Sequence, residues 1–370
     1  MRILAIDVGT GTQDILLFDS ATTVENCVKM VMPSPTRIVA SAIEAATRAG
    51  DDILLAGATM GGGPSSGAAR SHLKAGLKVY ATPAAACTFN DDLAEVARSG
   101  VTLVSEDEAR LLQQKARRVR HIETRDLDQA AVGRALSAFG VDPHYDGVAV
   151  AVQDHGAAPA GISDRVFRFD YIRRVVESDN RLAAFAYMAA DVPSFLSRMK
   201  AVAETMDGSV PSLVMDTGPA ACLGTLEDRR VSEHENKLLI NVGNMHTLAT
   251  HLCGNRIVGV FEHHTGHLSM NALEGYISRL LAGTITYEEV YEDHGHGAYL
   301  APASERACLK GAPFIAATGP HRVKLSRSSL TTYLAVPHGD MMLAGCFGLV
   351  RAFGERQVNW REEIETALGS

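Results

Sequence analysis

The sequence predicts an α/β protein of two related lobes around a shared cleft. The chain has 370 residues, enough for two domains of ordinary size. Apolar strand-like runs alternate with helical patterns through most of it. A strand, a polar residue and a glycine hairpin near the start recur later, with Asp7 and Asn241 standing 234 positions apart.

The elements follow in order. Ile3–Asp7, Ile15–Phe18 and Cys27–Met32 read as short strands around the Gly9-Thr10-Gly11-Thr12 turn. Loops this short favour antiparallel neighbours. Thr36–Ala49 has helical periodicity and Ile53–Ala56 is a strand. Gly61-Gly62-Gly63 then makes a turn, with Pro64 suited to a helix start. After a strand near Leu77–Tyr80, helices are expected over Asp91–Arg98, Glu106–Val119 and Leu127–Phe139. Val148–Val152 is a buried strand, and Asp179–Glu204, rich in Ala, Met and Phe, reads as helical. Ser212–Met215 is a strand leading through Asp216-Thr217-Gly218-Pro219 into a small-residue helix. From Lys237 the opening pattern returns as strands Lys237–Asn241, Thr247–Leu252 and Ile257–Phe261. The expected lobes are 1–210 and 211–370, with the break falling within 205–235, where Gly208, Pro211 and the Glu227-Asp228-Arg229-Arg230 run lie.

Composition narrows the function classes. A 46% hydrophobic and 21% charged chain can bury a core and is not disordered. With 35 basic and 43 acidic residues the net charge is −8, which speaks against a nucleic-acid partner. The densest basic stretch, Lys115 to Arg120, follows Glu106-Asp107-Glu108 and is expected on a solvated helical face. No apolar run approaches the ~18 residues needed to span a bilayer, and Met1–Asp7 reaches a charge too soon for a secretory signal. The six cysteines (27, 87, 222, 253, 308 and 346) form no tight cluster, so a cytoplasmic location is expected and a disulfide framework is not.

The opening hairpin carries a specific chemistry. Glycines let backbone N–H groups approach an oxyanion, and Thr10 and Thr12 add hydroxyl donors beside Gly9 and Gly11. Asp7, at the end of a buried strand, can hold Mg²⁺ through water. Asn241-Val242-Gly243-Asn244 occupies the matching place in the second half.

These residues resemble the actin-like ATPases, a superfamily that includes sugar kinases and Hsp70 chaperones. The resemblance implies a duplicated ribonuclease H-like fold with an interlobe cleft holding ATP and Mg²⁺. It makes Asp7–Thr12 the first phosphate loop and Asn241–Thr247 the second. It makes Met341–Gly348 an adenosine motif in which a strand feeds a Gly turn and a helix, with Gly345 near the adenine and ribose. It also gives Asp216–Ala221 as the start of a helix connecting the lobes. The second loop opens with Asn241 where an Asp is usual, which favours nucleotide binding over fast phosphoryl transfer. Closer still, Met60–Pro64, Gln153-Asp154-His155-Gly156 and Gly319-Pro320-His321-Arg322 are similar to a prokaryotic family labelled pyruvate formate-lyase activating enzyme. That label implies radical chemistry on a C-x₃-C-x₂-C cluster. The chain has no such run, so a radical enzyme is not expected.

Phosphoryl transfer needs a carboxylate to accept the nucleophile's proton. Asp154, just after the Val148–Val152 strand, is the first candidate; Asp216 is the second, and His155 could share the proton. Gly61, Gly62 and Gly63 can cradle an anion at a helix start, and Arg322 offers one cation for the same purpose. His263 and His264 are expected to border the cleft and touch substrate. With Glu262, His267, Asp293, His294 and His296 they could ligate a transition metal, a reading less favoured because no H-E-x-x-H spacing occurs. The expected partner is a small polar metabolite for phosphotransfer; the alternative is a partner protein driven by an ATP-dependent conformational change, and a second alternative is a metal-dependent hydrolase acting through the histidines.

Overall fold

The computed structural model describes residues 1–115 and 118–369. Ala116 and Arg117, in the middle of the basic stretch, and Ser370 lie outside them, as does the side chain of Lys115. β1 (Arg2–Val8), β2 (Thr12–Asp19) and β3 (Val28–Pro33) form an antiparallel meander. The chain then builds a small parallel sheet of β4 (Asp52–Gly57), β5 (Val79–Ala81), β6 (Thr102–Leu103) and β7 (Val119–Thr124), ordered β6-β5-β4-β7. Helices α1 (Pro35–Ala49) and α2 (Gly63–Lys74) accompany it and cover one apolar cluster with it.

β8 (Gly147–Val152), buried throughout, returns beside β1 in parallel. Such a strand is covered on both faces, which is why it reads as a continuous apolar run. β9 (Ala186–Met188) and β10 (Ser212–Asp216) complete a sheet ordered β3-β2-β1-β8-β10-β9. Between β8 and β9 runs α3 (Asp164–Ser178), and α4 (Thr217–Thr225) follows β10.

The second sheet repeats this plan with β11 (Asn236–Val242), β12 (His246–Cys253), β13 (Arg256–His264), β14 (Gly297–Leu300), β15 (Phe314–Thr318) and β16 (Tyr333–Leu334). Its order is β14-β13-β12-β11-β15-β16. Apart from β9 and β14, both sheets run third, second, first, fourth, fifth, and in both the fourth strand is parallel to the first. This is the duplicated ribonuclease H-like arrangement of the actin-like ATPases.

The repeat holds residue by residue. The ladder from Arg2↔Asp19 to Val8↔Gln13 becomes Asn236↔Cys253 to Val242↔Thr247, every partner shifted by 234. The hairpin bonds shift equally: Gly9 N–H donates to the Thr12 carbonyl at 2.9 Å, and Gly243 N–H to that of His246 at 3.0 Å.

α4 packs on the second sheet, whereas α5 (Ala344–Arg356) returns to β1, β2 and β8 of the first. The expected division at 210/211 is thus crossed twice, by β10, which belongs to the first sheet, and by α5. The two helices meet where a Cβ on Gly224 would strike the Ala344 carbonyl and one on Gly348 the Ala220 carbonyl.

Four expectations need correction. The helix expected over Asp179–Glu204 is confined to Ser197–Thr205, and the long helix of this region is α3 instead. The inward face of α3 carries Arg168, fully buried, which breaks the apolar pattern that would reveal it. Val119 begins a strand, not the end of a helix. Met341–Leu343 is a turn and not a strand, because the chain leaves a short Pro337–Gly339 helix directly into α5. Cys253 and Cys308 pair as a disulfide although 55 residues separate them in sequence. No helix among the described residues is long and apolar enough to cross a membrane.

Candidate functional site

The two glycine hairpins face one another across a cleft of about 370 Å³ between the sheets. A Cβ on Gly11 would come within 2.9 Å of the Asn244 amide nitrogen, so the hairpin tips nearly touch. Asp7, Gly9, Thr10 and Thr12 line the cleft from one side, and Asn241, Gly243 and Asn244 from the other. Gly61, Gly62 and Gly63 close the rim from the start of α2, where Gly63 lies against Thr10. This loop is anchored from behind. Gly61 N–H donates to Asp126 at 3.2 Å, and Asp126 accepts two bonds from Arg198 at 2.7 and 2.9 Å.

Asp7 sits at the bottom with one oxygen accepting from the Thr217 hydroxyl at 2.6 Å. Its strand partner across the ladder is Asp14. Directly opposed residues project to the same face of a sheet, so the two carboxylates share one environment. Burial pushes Asp7 up to about 6, with Asp216 adding to the rise. Burial and then the Asp7 charge push Asp14 up to about 8. Asp14 Oδ1 is buried without a hydrogen-bond partner. Two confined carboxylates, one with an orphaned oxygen, form a donor set suited to a hard divalent cation. Asp14 was not recognised in sequence, yet counting two residues outward from each end of the Gly9–Thr12 turn places it opposite Asp7. Gly345 also lines the cleft here, and a Cβ on it would collide with the Asp7 carboxylate.

The expected bases are committed elsewhere. Asp154 is buried, and its two oxygens accept from Gly156 N–H and Met199 N–H, each at 2.8 Å. It is folded into an Asx-type turn that presents His155. Asp216 is clamped by Arg168, which donates to both its oxygens and also to Glu262 at 2.8 and 3.1 Å. Arg168 thus ties Asp216 of the first sheet to Glu262 of the second, and this arginine was not singled out in sequence. Its guanidinium holds the Glu262 carboxyl down to about 2 against the effect of burial.

The histidines divide by strand alternation. Glu262 and His264 project to one face of β13 and His263 to the other. His263 accordingly turns into the second lobe, buried, with Nε2 3.5 Å from Asp293 and its ring beside Tyr276. His264 instead lies beside His246 and His296, ring centroids 4.7 and 4.6 Å apart. His155, His246 and His296 converge so that one ring nitrogen of each lies within 4.8 Å of the others. Burial lowers His155 to about 4 and pushes His246 and His296 well below their ordinary value, so all three are neutral near pH 7. His246, at the position 234 after Thr12, was not recognised in sequence. Arg322 stands back from the cleft, whose lining there is Gly319 and Pro320.

A family model described as "Putative pyruvate format-lyase activating enzyme (DUF1786)" matches residues 60–324. The chain belongs to this family. Iron–sulfur chemistry implied by that description does not fit the cysteines. Cys253 and Cys308 are paired, Cys222 is pushed up to about 12 by burial, and no three cysteines gather among the described residues. No curated protein matches the sequence. Among solved structures the chain is similar to the filament structure of AlfA from a B. subtilis plasmid, at 10% identity over 95% of this chain and 98% of that one, TM-score 0.35. It is also similar to MreB5 of Spiroplasma citri bound to ADP, at 10% identity over 98% of each chain, TM-score 0.35. The ethanolamine utilization protein EutJ from Carboxydothermus hydrogenoformans is 11% identical over 94% of this chain and 89% of that one, TM-score 0.34.

Proposed function

We propose that this family member binds ATP with Mg²⁺ in the interlobe cleft and acts as an ATPase or phosphotransferase on a small polar metabolite. One observation carries the reading: two hairpins related by a 234-residue shift present glycine backbone to one cavity floored by Asp7 and Asp14. Bound there, Mg²⁺ would neutralise charge on the phosphates. Asp7 and Asp14 would hold it, with Asp7 oriented by Thr217. Backbone N–H groups of Thr10 and Asn244, at the tips beyond the Gly9 and Gly243 hairpin bonds, would take the phosphate oxygens, and Asn241 supports the second hairpin without adding negative charge. The Gly61–Gly63 loop covers the cleft mouth and excludes water.

Asp154 and Asp216 act as positioning residues in this scheme, since backbone amides and Arg168 already occupy their oxygens. Without a free carboxylate base, a second reading is favoured by the same observation. ATP would then serve to close the lobes and act on a partner protein, with slow turnover. Adding Mg-ATP should raise the melting temperature by several degrees, and Asp7→Asn should remove that rise. A wild-type protein whose melting is indifferent to Mg-ATP would overturn nucleotide binding. Turnover that needs an added protein, and not a metabolite, would select the second reading.

A further inference from the structure

The convergence of His155, His246 and His296 is not used by a nucleotide site. Each comes from a different element: His155 from the turn after β8, His246 from the start of β12, His296 from the loop entering β14. The first belongs to one lobe and the other two to the second. His155 Nε2 and His296 Nε2 are 3.3 Å apart. Two nitrogens on a tetrahedral zinc, each bonded at 2.0–2.1 Å, stand about 3.3 Å from one another. An N–H···N hydrogen bond could satisfy that one pair. It would leave both nitrogens of His246 and Nδ1 of His296 shut off from solvent without a partner. Burying polar atoms unpaired costs on the order of 1–3 kcal/mol each. A bound cation at the point where the rings converge removes that cost for the nitrogens aimed at it.

The surroundings have the form of a metal's outer layer. His296 Nδ1 faces Glu262 Oε2 at 3.5 Å, and the His296 backbone N–H donates to the Glu262 carbonyl at 2.9 Å. A carboxylate behind a ligating imidazole fixes its tautomer and strengthens it as a donor. Glu262 is itself held by Arg168 through two bonds. His155 is held by the Asp154–Gly156 turn, and His246 by the Gly243 hairpin bond. All three ligands therefore stand on fixed backbone, and His155 and His246 line the cleft.

We propose that His155, His246 and His296 form a three-histidine site for a divalent transition metal of the zinc class that joins the two lobes and leaves one coordination position open to the cleft. Nitrogen donors suit such an ion better than Mg²⁺, which prefers oxygen and would remain with Asp7 and Asp14. The open position takes water or an anionic oxygen of the cleft's ligand. His264 borders the site and can approach as a fourth donor when that position is vacant.

Chelator-treated protein titrated with ZnCl₂, and separately with CoCl₂, in the absence of nucleotide tests this directly. One equivalent should bind in the micromolar range or tighter, and Co²⁺ should give the visible absorption of a low-coordinate site. His155→Ala, His246→Ala and His296→Ala should each weaken binding about 100-fold or more, whereas Asp7→Asn should leave it unchanged. Zinc-edge X-ray absorption of the wild type, which needs no variant to fold, should count three imidazoles near 2.0 Å. Absence of stoichiometric binding, binding unaffected by the histidine changes, or fewer than two imidazoles around zinc would overturn the site. Since no nucleotide is present, these results leave the Mg-ATP reading to its own test.

Discussion

Arg168 is the side chain that neutralises two buried carboxylates from different sheets. Fully buried on α3, it binds Asp216 and Glu262 and donates to the Asp154 carbonyl at 3.0 Å. Removing one member of a buried pair strands the other charge, which typically costs 3–5 kcal/mol. Arg168→Met, which leaves helix propensity about unchanged, should therefore lower unfolding stability by roughly that amount in urea titrations. A loss below about 1 kcal/mol would show that Asp216 and Glu262 find other partners. Legibility in sequence follows the same logic. Asp7 and the hairpin glycines stand out because a small set of residue types recurs at one spacing. Arg168 and His296 do not, since their meaning comes from residues 48 and 141 positions away. Asp14 was within reach, because the hairpin fixes register two residues at a time.

The crossing of α4 and α5 shows what small residues do between lobes. Each helix carries an Ala-x-x-x-Gly run, Ala220 to Gly224 and Ala344 to Gly348. Each glycine sits on the other helix's alanine carbonyl, so the contact is self-complementary, like a two-fold interface within one chain. Gly224→Ala or Gly348→Ala would push a methyl into backbone that has no side-chain freedom to yield. Either should destabilise by more than about 3 kcal/mol, or prevent soluble expression. Gly67, inside α2 with open space around its Cβ position, gives the opposite expectation. Gly67→Ala should add roughly 0.5–1 kcal/mol through helix propensity alone. Equal effects at the two sites, measured by thermal unfolding, would rule out the close crossing. The sequence showed α4 as a small-residue helix and a helix after Gly345, but not that the two cross; only the strand expected at Met341–Leu343 failed, because an apolar run before a glycine reads equally as strand or helix entry.

Across the two lobes, the groups with shifted titration set opposing limbs of stability against pH. Asp7 and Asp14 titrate higher in the folded state, at about 6 and about 8, than the 3.8 of a free aspartate. The native protein then holds more protons than the unfolded chain between pH 3.8 and about 8, so stability falls as pH rises through that window. The buried histidines act in reverse. His155 and His251, each lowered to about 4 by burial, bind fewer protons when folded, so their contribution is lost as pH falls from 6.5 toward 4. Below pH 6.5 the two effects oppose; above it the histidines are neutral in both states and Asp14 acts with little opposition. Melting temperature should accordingly peak near pH 6–7 and decline toward pH 8, and Asp14→Asn should flatten the alkaline limb and steepen the acid limb, where the histidines then act less opposed. If Asp7 and Asp14 hold Mg²⁺, the cation must displace their protons. The stabilisation given by Mg-ATP should therefore grow from pH 6 to pH 8 in wild type and lose that slope in Asp14→Asn. An increment independent of pH would place the cation away from the aspartate pair, and with it the phosphates.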